Sequence, residues 1–252
     1  MSKPQKYAPW LYPPIKALVR LFYPKITVYG EENLPQEPCL VVGNHSQMNG
    51  PIACELYFPG KRYTWCAGQM MQKNEVAEYA FQDFWSQKPK WTQPFYKLLS
   101  HIIVPFSVCI FNNANTIGVY RDSRIISTFK TTLKRLSEGA NVVVFPEHDT
   151  PYNTILSEFE TRFVDIAQLY CKKQGKPLPF VPLYIAPNLK SMYIGKPIYF
   201  NPDAPIEEER QRICRFLMEE ITARAVSLPR HIVVPYRNIP KKHYPWNRED
   251  SL

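Results

Sequence analysis

The sequence predicts an α/β fold: a mixed, largely parallel sheet flanked by helices, preceded by a short amphipathic helical segment. Three observations lead there. Short apolar runs, among them CLVVG at 39–43, NVVVFP at 141–146 and FVPLYIA at 180–186, have the length of buried strands. Segments carrying helix signals, such as 125–136 and 205–226, separate them. The two kinds alternate along the chain, which places the strands in one sheet and the helices on its faces.

In chain order, Ile15, Leu18, Val19 and Phe22 stand at the i, i+3, i+4, i+7 spacing of one helical face. Lys16 and Arg20 fall opposite, with Trp10, Tyr12 and Tyr23 nearby, so the segment reads either as a helix packed on the domain or as an interfacial one. Residues 39–43 form a strand, and 69–85 read as helical. The stretch LLSHIIVPFSVCIF, 98–111, is interrupted by His101 and Pro105 and falls short of the ~18–20 apolar residues that span a bilayer. It is expected to be a core or interfacial segment. Ile125, Phe129, Leu133 and Leu136 mark an amphipathic helix that stops near Gly139. Residues 141–146 make a buried strand. The next segment opens with Ser157 and Glu160 at capping-box spacing, with Phe159, Phe163, Ile166 and Tyr170 on one face. Strands follow at 180–186 and 192–200. A long helix over 205–226 has Pro205 at its start and Glu207 to Glu209 in its first turn, where the helix dipole favours acids. From 228 the chain is proline-rich, basic and aromatic, and is expected to wrap the surface as an extended tail. Three regions result: an N-terminal segment 1–25, a main domain 26–227 and a tail 228–252.

Of the 252 residues 45% are apolar and 14% aromatic, ample for a filled core. The formal charge is +9, and residues 1–30 carry Lys3, Lys6, Lys16, Arg20 and Lys25 without an acid. Beside Trp10, Leu11, Tyr12 and Phe22, that excess suits an anionic surface, membrane or nucleic acid. No helix-turn-helix, zinc-finger or RRM-like pattern supports nucleic acid, and none is expected as a partner. The six cysteines are scattered, without CxxC or clustering with histidine, so neither disulfides nor a metal is expected, and a reducing compartment fits. No signal peptide is visible. The expected location is cytoplasmic, with peripheral membrane association.

Chemistry concentrates at strand ends. Asn44 and His45 follow the strand 39–43 on a turn; Arg121 follows a short apolar stretch; Glu147, His148 and Asp149 follow another strand, which Pro146 turns out of the sheet. A lone histidine is most often structural, and an aspartate before Thr-Pro is a common turn residue.

Together these segments, NHSQMNG at 44–50, IGVYR at 117–121, FPEHDT at 145–150 and VPLYI at 181–185, resemble the phospholipid/glycerol acyltransferase (lysophosphatidate acyltransferase-like) family, whose blocks are NHxxxxD, a block ending in Arg, FPEGTR and a late VP strand. Gly139 fits the family's turn before the third block, Phe159 stands where its FKxG phenylalanine falls, and IGKPI at 194–198 resembles its closing strand. The likeness covers roughly residues 26–226. It implies acyl transfer from a thioester of coenzyme A or an acyl-carrier protein to a hydroxyl of a glycerophosphate or lysophospholipid. His45 would be the general base, Arg121 a phosphate ligand, and Asn44, Glu147 and His148 residues that position the acceptor. No cofactor or metal is implied beyond the acyl donor. The stretch 86–116 would shape or cover the acyl channel.

Two departures from the family pattern stand out. The aspartate that would orient His45 is Gly50, and the glycine, threonine and arginine of the third block are His148, Asp149 and Thr150. In serine proteases, replacing the orienting aspartate by its amide costs about 10⁴ in turnover. Three readings follow. Asp149, or else Glu147, supplies the carboxylate from the neighbouring strand end, with Gly50 making room for it. Alternatively His45 works with Asn49 or water alone, slowly or on an unusual acceptor. Otherwise the fold survives as a lipid- or acyl-carrier-binding protein without turnover.

Overall fold

The computed structural model describes residues 7–248, so Lys3 and Lys6 lie outside the described residues. Its helices are α1 (Tyr12–Phe22), α2 (Asn49–Tyr57), α3 (Val76–Ala80), α4 (Gln93–Ile102), α5 (Val104–Asn113), α6 (Ile125–Ser137), α7 (Asp165–Gln174) and α8 (Ile206–Ser227). Its strands are β1 (Thr27–Tyr29), β2 (Leu40–Gly43), β3 (Arg62–Ala67), β4 (Thr116–Val119), β5 (Asn141–Val144), β6 (Glu147–Pro151), β7 (Ser157–Phe159), β8 (Pro179–Ala186), β9 (Ser191–Ile194) and β10 (Ile198–Tyr199). They fall into two compact units, residues 1–23 with 65–131 and residues 24–64 with 132–252, whose boundaries cut β3 and α6. The single main domain expected over 26–227 is therefore interrupted, and the N-terminal helix belongs to the unit formed by 65–131.

The second unit holds most of the sheet, in the order β1-β9-β8-β2-β5-β3. Its centre is parallel: Leu40 to Val42 of β2 pair with Val142 to Val144 of β5, and Leu40 to Gly43 with Phe180 to Leu183 of β8. β9 and β10 run antiparallel to β8, which makes the sheet mixed. β2 and β8 are buried throughout, as their unbroken apolar runs require of strands covered on both faces. α8 contributes Ile213, Leu217, Ile221 and Ala225, a buried stripe at i, i+4 spacing, and packs on β8. Parallel pairing brings the C-terminal ends of β2 and β5 to the same edge, with Val42 beside Val144. The turns that carry Asn44–His45 and Pro146–Glu147 are neighbours for that reason.

The capping box at Ser157 is not formed. Ser157–Phe159 is a strand, paired with β6 in a two-stranded ribbon, and the helix begins later, through a 3₁₀ turn at Thr161–Val164. Phe163, Ile166 and Tyr170 are buried as the spacing predicts, whereas Phe159 is buried from the strand. The tail also differs from expectation. It folds back as a hairpin, with Ile232 bridging Trp246 in antiparallel fashion and His231, Val233 and Asn247 buried.

In the first unit Met70, Val76, Ala80 and Val108 form a small core edged by Tyr79, Phe84 and Trp85. The helix expected over 69–85 is a 3₁₀ turn, then α3, then a π turn over Phe81–Trp85. Only part of the predicted face of α1 packs: Ile15 and Val19 are half-buried, while Leu18 and Phe22 are exposed, as is Leu21 outside that face. Trp91, Phe95, Leu98, Ile102 and Phe106 are exposed as well, on and around α4 and the start of α5. Among the described residues no single helix is long and apolar enough to cross a membrane; Lys90–Ile102 and Val104–Asn113 reach that length and composition only together, with a 46° bend between them.

Candidate active site

His45 stands on a tight turn between β2 and α2. Ser46 and Gln47 both take left-handed backbone angles (φ 46° and 54°), which non-glycine residues adopt only where the surroundings fix them. That turn folds the chain back so that the Gly50 N–H donates to the His45 carbonyl at 3.0 Å. The glycine is demanded by this approach: a Cβ there would lie 2.5 Å from the His45 carbonyl oxygen and 3.0 Å from both the Asn44 carbonyl oxygen and Phe145 Cε1. Gly50 thus leaves no room for an incoming carboxylate. The space is filled by the turn's own carbonyls and the Phe145 ring.

Asn44 fixes the other side of the turn. Its Oδ1 accepts the Ile185 N–H at 2.7 Å, and its Nδ2 donates to the Ile185 carbonyl at 3.0 Å and to Ser46 Oγ at 2.8 Å. The residue is buried, so its amide ties β2 to β8 and is spent on the protein, not on an acceptor.

Glu147 has a comparable role. Its Oε1 accepts the backbone N–H of His45 at 2.5 Å, and its Oε2 accepts that of Ser157 at 2.9 Å. Burial pushes its carboxyl up to about 7, against the two N–H donors, which favour the ionised form. Glu147 holds the turn that carries His45 and the β6–β7 ribbon together, and its carboxylate makes no hydrogen bond to His45 Nδ1.

The imidazole packs edge-on against Phe145, with centroids 5.4 Å apart, and against Tyr236, at 5.7 Å. Its Nδ1 is buried and has no hydrogen bond among the described residues. Burial lowers the His45 pKa, opposed by the backbone at Gln47, so the ring is neutral at physiological pH, the form a general base requires. Tyr236 comes from the C-terminal hairpin. Beside it the Arg237 carbonyl accepts from Gln47 Nε2 at 3.2 Å, and Tyr244 Oη bonds the same nitrogen at 2.9 Å.

The structure does not bring Asp149 to His45. The Asp149 side chain is 84% exposed, and its neighbour is Arg237, with Nε–Oδ1 at 3.9 Å. The reason is the irregular pairing of β6 with β7: register shifts between Glu147 and Pro151, and the chain leaves the sheet edge after Glu147. His148 is likewise turned away, its Nδ1 accepting the Thr150 N–H at 3.2 Å and its Nε2 3.8 Å from Glu158. Arg121 lies in the first unit, exposed, with no hydrogen bond or ion pair among the described residues. Arg124 instead engages Asp122 and Glu75 and stacks on Tyr120 at 4.1 Å. Among the described residues no three His, Cys, Asp or Glu side chains assemble a metal site.

A family model described as Acyltransferase matches residues 25–186, well over half of the chain. The chain belongs to the acyltransferase family. Among solved structures it is similar to the 1-acyl-sn-glycerophosphate (LPA) acyltransferase PlsC from Thermotoga maritima, at 17% identity and a TM-score of 0.44, over 88% of this chain and 84% of that one. No curated protein matches it.

For a member of this family the arrangement is specific in what it keeps and what it replaces. The histidine stays at the sheet edge, and the third-block glutamate anchors its turn. The residues that complete the surroundings of His45 come from beyond the matched span: Tyr236, Arg237 and Tyr244. A sequence reading assigned them to a surface tail. The apolar run HIVV at 231–234 was the one signal that this tail is partly buried.

Proposed function

We propose that this acyltransferase-family chain moves a fatty acyl group from a thioester, on coenzyme A or an acyl-carrier protein, to a hydroxyl of a glycerophosphate or lysophospholipid, with His45 as general base. The observation that carries the reading is the neutral His45 imidazole on a turn pinned by Glu147, with the ring wedged between Phe145 and Tyr236. Since Nδ1 is the buried nitrogen, Nε2 is the one that takes the acceptor's proton as the hydroxyl oxygen attacks the thioester carbonyl. The C–S bond breaks, and the departing thiolate takes the proton back. The ring is oriented by aromatic packing in place of a carboxylate, so the imidazolium is less stabilised than in a triad. Slow turnover follows. Asp149 has no part in that relay. Arg121 keeps the anion-binding role that the family pattern implies for it, and no resident cofactor is needed, since the thioester is a substrate.

The same unpaired Nδ1 favours a second reading, an acyl- or lipid-binding protein without turnover. Acyl transfer from a labelled long-chain thioester to a panel of lysolipids and glycerol 3-phosphate separates the two. Turnover that His45→Ala abolishes supports the first; acyl binding with no product from wild type supports the second.

Exposed Leu18, Leu21 and Phe22 on α1, with Lys16 and Arg20 on the same helix, support a peripheral site of action on an anionic membrane facing the cytoplasm. Salt-sensitive sedimentation with anionic vesicles, lost in a Leu21→Glu/Phe22→Glu variant, is the expected result. Salt-sensitive binding to oligonucleotides but not vesicles would reverse the assignment.

A further inference from the structure

The family pattern's third-block arginine is Thr150 here, so this segment carries no guanidinium of its own. A guanidinium nevertheless reaches this segment. Arg237, on the C-terminal hairpin, lies with Nε 3.9 Å from Asp149 Oδ1, one residue before Thr150. That distance is an ion pair without a hydrogen bond, and both side chains are largely in solvent, at 54% and 84% exposure, so the contact holds little energy. Among the described residues the guanidinium makes no hydrogen bond, and its five N–H donors are unspent.

The backbone beneath it is fixed. The Arg237 carbonyl accepts from both Gln47 Nε2 and the Ile239 N–H, at 3.2 and 3.0 Å. Tyr236, about 3.8 Å away along the chain at Cα, sets its ring against His45. The hairpin is rooted by buried bonds: His231 N–H to Asn247 Oδ1 at 2.8 Å, Asn247 Nδ2 to the Ala225 carbonyl at 2.8 Å, and Val233 N–H to the Pro245 carbonyl at 2.8 Å. Tyr184 Oη and His231 Nε2, 2.7 Å apart, add a further anchor to β8. Nδ1 of His231 faces the Pro229 carbonyl and must carry the proton, so Nε2 accepts from the tyrosine. A planar fork on a rigid strap whose preceding residue, Tyr236, packs on His45, and loosely engaged by one carboxylate, suits bidentate capture of a phosphate.

We propose that Arg237 binds the phosphate of the acceptor, bringing a guanidinium to a segment whose own residue is Thr150, and that the C-terminal hairpin is the wall that selects anionic over uncharged acceptors. The assignment rests on His45 marking the acceptor site. Asp149 is then a competitor for the guanidinium, weak enough to be displaced by a dianion.

The test is calorimetric titration of the full chain with glycerol 3-phosphate and with a soluble short-chain lysophosphatidate. Glycerol and a short-chain monoacylglycerol are the uncharged controls. Arg237→Gln is expected to weaken both phosphate ligands at least tenfold and to leave the controls unchanged. Arg237→Lys should recover part of the loss, and Asp149→Asn should tighten phosphate binding two- to threefold. Equal weakening of charged and uncharged ligands in Arg237→Gln, an unchanged affinity for the phosphates, or no phosphate binding by wild type would each overturn the proposal. Steady-state transfer separates it from the proposed activity. Phosphate binding that depends on Arg237, without turnover by wild type, leaves this inference standing and removes acyl transfer. Turnover with a KM for the phosphate acceptor that Arg237→Gln does not raise does the reverse.

Discussion

The Glu147 carboxylate receives the backbone N–H of His45 at 2.5 Å and, through its other oxygen, that of Ser157 at 2.9 Å. A third-block residue therefore acts on the first block through the main chain, fixing where the imidazole stands without touching the ring. Glu147→Gln cannot repeat this, because an amide nitrogen would face an N–H donor. The expected loss is about 1–3 kcal/mol in stability, together with a fall in kcat of at least tenfold, with KM for the acyl donor nearly unchanged. Urea unfolding and initial rates check the two effects.

Gly50→Asp restores the family's residue but not its chemistry. The added side chain would start 2.5 Å from the His45 carbonyl oxygen, so the turn must shift. Destabilisation of about 1–3 kcal/mol is expected, with lower turnover than wild type. A gain in turnover would mean that the turn can adopt the arrangement the aspartate requires.

Asp149→Asn is expected to leave kcat within about twofold and stability within about 0.5 kcal/mol, as for an exposed residue outside the relay. A loss approaching that of His45→Ala, measured in the same transfer assay, would restore the carboxylate role that the sequence suggests.

The pH dependence follows from His45. Burial lowers its pKa, so the neutral imidazole persists to more acidic pH than a free one does. The acid limb of kcat/KM is expected below pH 6.5, with activity flat above it until another group titrates. In stability the sign is the same: a histidine with a lowered folded-state pKa contributes fully above its unfolded value of 6.5, and the contribution is lost as pH falls towards the folded value. His231, also lowered by burial, adds to that loss. The buried carboxyl of Glu147, raised to about 7, acts oppositely, its contribution present below 4.5 and lost as pH rises through 7. Comparing thermal unfolding from pH 4.5 to 7.5 in wild type and in Glu147→Gln isolates the histidine contribution.

Tyr184→Phe removes the hydroxyl partner of His231 Nε2 and leaves that nitrogen buried without a donor. A cost of about 1–3 kcal/mol is expected, with the hairpin released before the sheet. Faster amide exchange confined to 230–247, read by mass spectrometry, is the specific signature.

Much of the fold was legible locally. The strands β2, β5 and β8 were visible as unbroken apolar runs, since a strand covered on both faces has no polar positions to spare. α6 and α8 carried their own stop and start signals at Gly139 and Pro205. Ser157 misled for a physical reason. Its capping-box spacing with Glu160 is a local preference, while its backbone N–H is claimed by a buried carboxylate ten residues away, and satisfying that charge outweighs a cap.

The sequence by itself determined the alternation of strands and helices, the family, and the histidine and glutamate that mark the candidate site, because these are written in residue type and short spacing. Tertiary structure decided how those residues are held. Parallel pairing put Glu147 beneath His45, the close return of the turn made Gly50 obligatory, and the C-terminal hairpin supplied Tyr236 and Arg237 from nearly two hundred residues away. Such contacts join residues distant in the chain through geometry that no local pattern encodes, so only the folded molecule shows that the site around His45 is completed by its own C-terminal end.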